Sequence, residues 1–510
     1  MTMVFHSILF IDTPDDTPAP QCFADLNLDQ VVEVIAASHK DARLQPFFHT
    51  PLRDEELIRQ RQAVARVLEQ APVYTAITAF NEQMAAVYRY LALRQPLIYE
   101  HHRQGWLLEA ALPYCTAVSE LARALSTAEL HSAGLQVFRD YLFGYLQTLE
   151  FGKLNNAAQQ VNQALKQIRF CLTIRGDIFI VKLYEGEQPY SPEITAVFAK
   201  FRQEDSPSYL TNLREAAGMS HIEAKIVEFV ARLSPEPFAA LAQFCAQHEQ
   251  FIDETIRRCD REIQFYLAYL EFIARFRQQG LPFCYPVISR SDRNEAVRDG
   301  FDLALAHVLY VRQTPIVPND YDLSEPERVL VVSGPNQGGK TTFARMVGQL
   351  HYLSSLGLPV PARSARLFIP DQIFTHFERS EDIRNLRGKL QDELVRIHEL
   401  LAQATGETLL ILNEIFHSTT AEDATFLRKE LMGRILQRQA FGVWVTFLDE
   451  LSRLNEQTAS KVSLVDPANP AQRPFKVVRQ AADGRAYALA VAHKYRLTYQ
   501  QIRERMDAMA

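Results

Sequence analysis

The chain has 510 residues, with 54 lysines and arginines against 61 aspartates and glutamates, for a formal net charge of −7. Its 47% hydrophobic and 23% charged residues are typical of an ordinary soluble globular protein, and its length predicts about three or four domains. The negative balance excludes a chain that is basic overall, so any contact with nucleic acid must use local patches.

Cysteine usage and hydropathy indicate the compartment. The six cysteines are scattered and form no C-x-x-C pair, which predicts reduced thiols and no zinc site. The N-terminus has no basic segment, and no stretch approaches the ~20 apolar residues of a membrane span. We therefore expect a cytoplasmic protein with no membrane partner.

The first third of the chain is predicted to be helical after a short N-terminal arm. Residues 1–30 form the predicted arm, because 12–20 is rich in proline and aspartate. Residues 31–282 are interpreted as a helical core domain, in which Asp54 is a predicted helix cap. Long amphipathic segments are predicted at Ala76 to Arg94, Trp106 to Leu125 and Ala133 to Phe170.

A small insertion interrupts these helices near residues 169–184. Runs of β-branched and aromatic residues flank Gly176 and Asp177, which predicts a short β-hairpin. Arg169, Arg175 and Lys182 lie on or near this hairpin. It could contact a phosphate backbone, or it could be a solvated edge hairpin.

A second helical feature covers residues 238–279, which contain neither proline nor glycine. Apolar residues recur there at alternating spacings of four and three, as in a heptad seam. They are Ile252, Ile256, Cys259, Ile263, Tyr266, Leu270 and Ile273. If the whole run forms one continuous helix, that helix is about 60 Å long at 1.5 Å per residue. Such a helix would be a lever or a coiled-coil arm packed on another long helix.

The strongest chemical signal is the segment RVLVVSGPNQGGKTT at residues 328–342. The apolar run 329–332 predicts a buried parallel strand, and 341–352 has helical spacing. The loop between them fits G-x-x-x-x-G-K-[ST] at all fixed positions. Those positions are Gly334, Gly339, Lys340 and Thr341.

This spacing predicts a phosphate cradle. Glycines let successive N–H groups point at phosphate oxygens, and the helix N-terminus favours an anion. Lys340 would neutralise the β- and γ-phosphates, and the Thr341 hydroxyl would hold Mg²⁺. The predicted nucleotide-binding residues are Gly334, Pro335, Asn336, Gln337, Gly338, Gly339, Lys340, Thr341 and Thr342.

The sequence after the loop alternates strands with helices. Strands are predicted at 373–377, 408–412 and 443–447, and a helix at 381–404. This alternation predicts a mostly parallel sheet with helices on both faces.

Two oxygen-bearing residues, Asn413 and Glu414, follow the strand predicted at 408–412. Asn413 would be a metal ligand beside the phosphate loop, but its amide carries no charge, so it should hold Mg²⁺ weakly. Glu414 is placed to polarise an attacking water as a general base.

A hydroxyl-rich run, Ser418, Thr419 and Thr420, precedes a helix that opens near Ala421. Helix N-termini with hydroxyl groups suit an anion, although such a run is also an ordinary cap. The run makes sense as a nucleotide contact only if a second subunit presents it across a dimer interface.

These motifs together resemble the MutS mismatch-repair family. Residues 334–341 resemble its G-P-N-M-G-G-K-S loop, and 413–423 resemble its D-E-I-G-R-G-T-S-T-Y-D segment at identical spacing. Further similarities lie at 317–320, 360–365, 373–375 with 380–382, and 487–492, and a weaker one lies at 51–54 with 59–62. The resemblance thus covers nearly the whole chain, strongly from Ile316 to the end and weakly before it.

The resemblance implies an α-helical lever domain, then an α/β P-loop (ABC-type) ATPase domain at 283–480 and a C-terminal helix-turn-helix at 481–510. It implies a homodimer formed through the ATPase domain and the C-terminal helices. ATP and Mg²⁺ would be the cofactors, DNA the partner, and Ser418 to Thr420 would close on the nucleotide of the other subunit. The helix at 238–279 would be a lever.

The chain also departs from the family pattern. It begins where the family's helical core begins, so we expect no mismatch-reading domain and a DNA clamp reduced to the hairpin region. Asn413 replaces an aspartate, Phe447 replaces a switch histidine, and Ile316 replaces an aromatic that stacks on adenine.

Two functions follow from these expectations. The first is a DNA-repair type ATPase acting on branched or mismatched DNA, with slow hydrolysis. The second is a pseudo-ATPase scaffold, in which ATP locks the dimer on RNA, the ribosome or a protein partner.

Overall fold

The computed structural model describes residues 7–11, 14–175, 178–187, 220–377, 388–466, 473–481 and 498–507. The chain divides into two compact units. Unit 1 comprises Gln70–His131 and Leu135–Asp260, and unit 2 comprises Ser7–Glu69, Ser132–Gly134 and Arg261–Ala510. The predicted domain boundaries at residues 30, 282 and 480 remain predictions.

Unit 1 consists mainly of helices. The described helices that lie in it wholly or largely are Ala71–Arg94, Glu100–Thr127, Ala133–Leu146, Leu149–Gln167, His221–Leu233 and Pro235–Gln247. Buried residues of the first helix recur at spacings of four and three, which gives the helix one apolar stripe. They are Val73, Ile77, Phe80, Met84 and Val87.

The long amphipathic segment predicted from Ala133 to Phe170 forms two helices, Ala133–Leu146 and Leu149–Gln167. Thr148 begins the second helix by accepting a hydrogen bond from the Phe151 N–H at 3.2 Å. This N-cap satisfies a backbone donor that would otherwise have no partner at the helix end. The local cap therefore divides a segment whose periodicity continues through it.

Two strands form a hairpin in unit 1, where the sequence predicts one. Phe170–Arg175 pairs antiparallel with Ile178–Leu183, and the predicted turn residues 176–177 lie outside the described residues. The register places Phe170 opposite Leu183 and Ile174 opposite Phe179. All four side chains are exposed on one apolar face.

The prediction of one continuous helix over 238–279 is wrong. The structure has two helices, Pro235–Gln247 and Glu254–Gln278. Asp253 caps the second helix, because its Oδ1 accepts the Ile256 N–H at 3.0 Å. The Asp253 N–H in turn donates to the Tyr114 hydroxyl at 3.0 Å. These contacts stabilise a break that the heptad spacing does not reveal.

Unit 2 contains a six-stranded sheet. Its strands, in spatial order, are Val477–Arg479, Thr458–Ser463, Val329–Ser333, Phe441–Val445, Leu409–Asn413 and Ile373–His376. The first pair is antiparallel and the other four pairs are parallel. This confirms the prediction of a mostly parallel sheet, with strand boundaries within two residues of those expected.

A second sheet in unit 2 has four strands. In spatial order they are Val287–Ser289, Ser364–Phe368, Glu295–Gly300 and Asn319–Leu323. The described helices of unit 2 include Cys22–Leu26, Leu28–Ala36, Gln45–His49, Glu55–Leu68, Leu303–Val311, Lys340–Ser355, Lys389–Gln403, Ala421–Gln437 and Tyr499–Asp507. Within the described ranges, no helix combines the length and apolar character needed to span a membrane.

Residues 7–11 of the predicted N-terminal arm pack into unit 2. Ile8 and Leu9 are fully buried, and the buried Arg61 guanidinium donates to the Leu9 carbonyl at 2.9 Å. Asp54 caps the helix Glu55–Leu68, as predicted, by accepting the Leu57 N–H. The short apolar run at 8–11 therefore contributes to a core.

The helix Lys340–Ser355, here called the phosphate-loop helix, is buried along most of its length. A Cβ on Gly348 would lie 2.5 Å from side-chain carbons of both Leu26 and Ile411. Gln349 donates to the Leu26 carbonyl at 2.9 Å. The helix Cys22–Leu26 and the strand Leu409–Asn413 thus contact the phosphate-loop helix at distances that leave no room for a side chain.

Candidate nucleotide site

The phosphate loop at 334–340 lies between the strand Val329–Ser333 and the phosphate-loop helix. Gly334 and Gly339 have φ of +121° and +89°, in the region that favours glycine. A Cβ on Gly338 would lie 2.3 Å from the Ser463 Oγ and 3.0 Å from the Pro335 carbonyl oxygen. These glycines therefore let the loop curl closely, which is the geometry of a backbone phosphate cradle.

Lys340 is the first residue of the phosphate-loop helix and is only 4% exposed. Its Nζ donates to the carbonyls of Gly334 and Pro335 at 3.1 and 3.0 Å. Burial lowers the pKa of Lys340 below the usual value for lysine, and the Glu414 carboxylate at 3.7 Å partly offsets this effect. Lys340 is thus a buried cation directed at the inside of the loop.

The two predicted Mg²⁺ ligands are adjacent. The Thr341 hydroxyl donates to the Asn413 side-chain oxygen at 3.0 Å. Among the described residues, no group of three or more His, Cys, Asp or Glu side chains could hold a metal ion. A hydroxyl and an amide oxygen fit Mg²⁺ as a partial ligand set, to which phosphates and waters add, since Mg²⁺ usually keeps several waters and binds substrate phosphates.

The predicted general base lies on a tightly shaped turn after the strand Leu409–Asn413. Glu414 and Phe416 have φ of +50° and +59°, which is uncommon for residues other than glycine. The Glu414 N–H donates to the Val445 carbonyl at 3.0 Å. This turn places the Glu414 carboxylate next to Lys340, as the motif spacing predicts.

Ser418, Thr419 and Thr420 do not join this cluster in the contacts described for the single chain. Thr420 caps the helix Ala421–Gln437, accepting the Asp423 N–H at 3.2 Å and donating to its carboxylate at 2.8 Å. Thr419 also points at Asp423, at 3.4 Å, and Ser418 is exposed. Capping therefore accounts for Thr420, while Ser418 is open to solvent.

Phe447 occupies the position expected for the switch histidine. Its ring centre lies 4.5 Å from the Lys340 Nζ, which is a cation–π distance. The His417 ring packs edge-on against it, with ring centres 5.8 Å apart. Phe447 therefore contacts the loop lysine through its ring face, where an imidazole would offer a hydrogen bond.

Three residues beside the loop were not predicted from the sequence. The Ser463 hydroxyl donates to the Gly338 carbonyl at 2.6 Å, and the Arg473 Nε donates to the Asn336 carbonyl at 3.3 Å. Phe475, which is largely exposed, lies beside Gly339. The pairing of the strands Thr458–Ser463 and Val329–Ser333 brings Ser463 to the loop. Arg473 and Phe475 precede the strand Val477–Arg479, which pairs with the strand Thr458–Ser463.

Comparison with known proteins agrees with this geometry. Residues 330–508 match the family described as MutS domain V. The chain is 28% identical over 257 residues to DNA mismatch repair protein MutS of Granulibacter bethesdensis, covering 50% of this chain and 26% of that protein. It is 28% identical over 210 residues to Endonuclease MutS2 of Thermus thermophilus, covering 39% of this chain and 28% of that protein.

The chain therefore spans only about a quarter of the length of these curated relatives. The match to domain V covers the phosphate loop, the Asn413–Glu414 turn and the strand that carries Ser463. Through this C-terminal region, the chain is similar to MutS domain V and to MutS and MutS2 proteins.

Proposed function

We propose that this chain binds ATP with Mg²⁺ at residues 334–342 and acts as a nucleotide-switched, DNA-binding ATPase of the MutS type. The observation that carries the proposal is the convergence of Lys340, Thr341, Asn413 and Glu414 at the carboxyl ends of two parallel strands. Open parallel sheets bind ligands at this edge, and this residue set is the one phosphoryl transfer uses.

Each residue has a defined role in this proposal. The loop N–H groups and Lys340 bind the phosphates, and Thr341 and Asn413 hold Mg²⁺, which neutralises phosphate charge when bound. Glu414 accepts the proton of the attacking water. A bound phosphate competes with Glu414 for Lys340, which leaves the carboxylate available to the water.

Slow hydrolysis follows from the residues beside the loop. Asn413 brings no negative charge to Mg²⁺, and Phe447 offers no hydrogen bond to a γ-phosphate. We expect turnover to be slow compared with ATP binding, while the intact loop keeps ATP affinity high.

A homodimer completes the proposed mechanism. Ser418, Thr419 and Thr420 lie at a helix N-terminus, and two of them are exposed. We propose that they bind the nucleotide of the partner subunit, with further contacts from the ATPase domain and from residues 481–510. Sedimentation with and without ATP tests this, and a chain that stays monomeric with ATP would contradict it.

DNA binding rests on the similarity to MutS and MutS2 proteins, since the net charge is −7. A salt-titrated binding series on duplex, mismatched, branched and single-stranded DNA, with and without ATP, tests it. We expect tighter binding to branched or mismatched DNA. No binding to any of the four at low salt would contradict the proposal.

A second function is an ATP-locked scaffold on RNA or a protein partner. Two features favour it: the uncharged side chain of Asn413, and the Phe447 ring that lies against the Lys340 ammonium. ATP turnover by the purified protein separates the two functions. Turnover that is lost in Glu414→Ala, with ATP binding retained, supports the ATPase. Tight ATP binding without turnover above a Lys340→Ala control supports the scaffold.

A further inference from the structure

The turn that carries Glu414 is held by side chains that the proposed mechanism has not used. Glu414 and Phe416 both have left-handed backbone conformations, which cost free energy in residues with a Cβ. Such conformations persist only where surrounding contacts hold them in place. Those contacts come from two helices and one strand of unit 2.

Arg428 holds the carbonyl side of the turn. This residue lies on the helix Ala421–Gln437 and is 6% exposed. Its Nε and one terminal nitrogen donate to the Ile415 carbonyl at 2.9 and 2.6 Å, and the same terminal nitrogen lies 3.3 Å from the Phe416 carbonyl. A planar guanidinium fixes direction as well as distance, because its donors form a rigid fork.

Glu393 holds the N–H side of the turn. This residue lies on the helix Lys389–Gln403, and its Oε1 accepts the Phe416 N–H at 3.0 Å. The buried His376 ring lies 3.3 Å from the same oxygen. Burial raises the pKa of Glu393, but His376 and the Phe416 N–H outweigh it, so the net pKa lies below the usual value.

Together, the two side chains fix a single peptide group. The carbonyl between Ile415 and Phe416 accepts from Arg428, and the N–H of that same peptide donates to Glu393. Two residues before Phe416, the Glu414 N–H donates to the Val445 carbonyl. The backbone on both sides of the Glu414 side chain therefore has one orientation.

We propose that Arg428 and Glu393 are positioning residues for Glu414. They hold the turn 414–416 so that the Glu414 carboxylate stays at the phosphate loop, within reach of an attacking water. This inference rests on the proposed ATPase function, and it adds two residues that act through the backbone rather than by touching the nucleotide.

The test compares ATP turnover with ATP affinity in the full-length chain. Glu393→Ala and Arg428→Gln should lower turnover by about tenfold or more while the ATP dissociation constant stays within about threefold. Glu393→Gln keeps an oxygen that can accept the Phe416 N–H, so it should restore most of the turnover that Glu393→Ala loses.

A matched control lies on the same helix as Arg428. Arg434 is exposed and pairs with Glu430 one turn away, at 3.0 Å. Arg434→Gln removes the same charge from the same helix without touching the turn, so turnover and ATP affinity should both stay at the wild-type values.

The outcomes separate this proposal from the proposed function. A wild-type chain that binds no ATP, or that binds ATP without turnover, overturns the proposed ATPase and with it the positioning role. With a wild-type chain that turns over ATP, the variants test the positioning role alone. Unchanged ATP turnover in Glu393→Ala and Arg428→Gln overturns the positioning role. A joint loss of ATP turnover and ATP affinity that Glu393→Gln does not restore also overturns it. If Glu393→Ala or Arg428→Gln fails to fold, Arg428→Lys decides. It keeps the charge but cannot form the fork, so unchanged turnover there overturns the proposal.

Discussion

The Thr341 hydroxyl donates a hydrogen bond to the Asn413 amide oxygen across 3.0 Å. This bond joins the start of the phosphate-loop helix to the carboxyl end of the strand Leu409–Asn413. A carboxylate at position 413 could accept the same bond and would add a negative charge. The proposed Mg²⁺ site therefore lacks a charge that an aspartate at position 413 would supply.

The first prediction concerns that charge. Asn413→Asp should tighten Mg²⁺ binding in the presence of ATP by about tenfold, since a charged ligand adds ~1.5 kcal/mol or more. ATP turnover measured across a Mg²⁺ series checks this, with half-saturation moving to lower Mg²⁺. Asn413→Ala is the matched control and should move half-saturation the other way. If Asn413→Asp leaves half-saturation unchanged, residue 413 does not contact the metal.

The second prediction is that ATP affinity depends on pH through Lys340. Burial lowers the pKa of Lys340, and Glu414 only partly offsets this. Lys340 therefore loses its charge at a lower pH than an exposed lysine, and ATP affinity should fall as the pH rises from about 7 to 10. Equilibrium binding of ATP over this range is the measurement.

Lys340→Arg is the control for that pH series, because arginine stays charged throughout. The ATP affinity of the Lys340→Arg variant should not change with pH above 7, even if that affinity differs from the wild-type value. A wild-type chain whose affinity is equally flat would show that Lys340 keeps its proton or does not bind the phosphates.

The third prediction compares two glycines. Gly338→Ala should weaken ATP binding at least tenfold, because its Cβ would lie 2.3 Å from the Ser463 Oγ and 3.0 Å from a backbone oxygen. Gly433→Ala, in the exposed part of the helix Ala421–Gln437, meets nothing within 4 Å. It should leave ATP binding unchanged and stabilise the fold by about 0.5–1 kcal/mol.

The Gly338 clash can be tested further by a second substitution. Ser463→Gly removes the hydroxyl and the Cβ that Gly338→Ala would contact, so the double variant should regain part of the lost affinity. No recovery would mean that the backbone contact with Pro335, rather than Ser463, limits the loop.

The fourth prediction concerns a buried ion pair in unit 2. The His351 Nε2 lies 2.8 Å from the Glu295 Oε1, and its Nδ1 lies 2.9 Å from the Val347 carbonyl. Burial opposes a charge on the ring, but Glu295 and the Val347 carbonyl together outweigh burial, so the pKa of His351 is raised. The pair therefore stabilises the fold below the unfolded-state pKa of about 6.5 and loses this contribution as the pH rises through the folded-state value.

His351→Leu should destabilise unit 2 by about 3–5 kcal/mol below that pKa, since it leaves Glu295 buried without its partner. Urea unfolding followed by Trp444 fluorescence in a Trp106→Phe background measures this. Wild-type stability should fall from pH 6 to 9 more steeply than that of the variant. His39→Gln, which alters a more exposed pair with Glu271, should have a small effect. Equal pH slopes in wild type and His351→Leu would contradict the prediction.

The core of the nucleotide site was predictable because its information is local. The run Val329–Ser333, the loop and the phosphate-loop helix are contiguous, and each has the residue pattern of its own structure. Glu414 follows a strand directly, so the parallel sheet brings it to the same edge as the loop. Spacing along the chain was sufficient for all of these elements.

The sequence could not reveal contacts that depend on strand pairing and on packing between distant segments. Ser463 reaches the loop only through the register between two parallel strands, and Arg428 reaches Ile415 from a later helix. The break before Glu254 depends on Tyr114, far upstream. Residues 380–382 and 487–492, which carry part of the family resemblance, lie outside the described residues.

The close packing around Gly348 gives a marker for related sequences. Any side chain at this position would collide with Leu26 and Ile411 at 2.5 Å. A relative that has a counterpart of the helix Cys22–Leu26 should therefore keep glycine about two turns after the loop lysine. Relatives with a larger residue at the position of Gly348 should lack a counterpart of the helix Cys22–Leu26, or should have it elsewhere. The residue at this one alignment position would therefore indicate how the N-terminus of each relative packs.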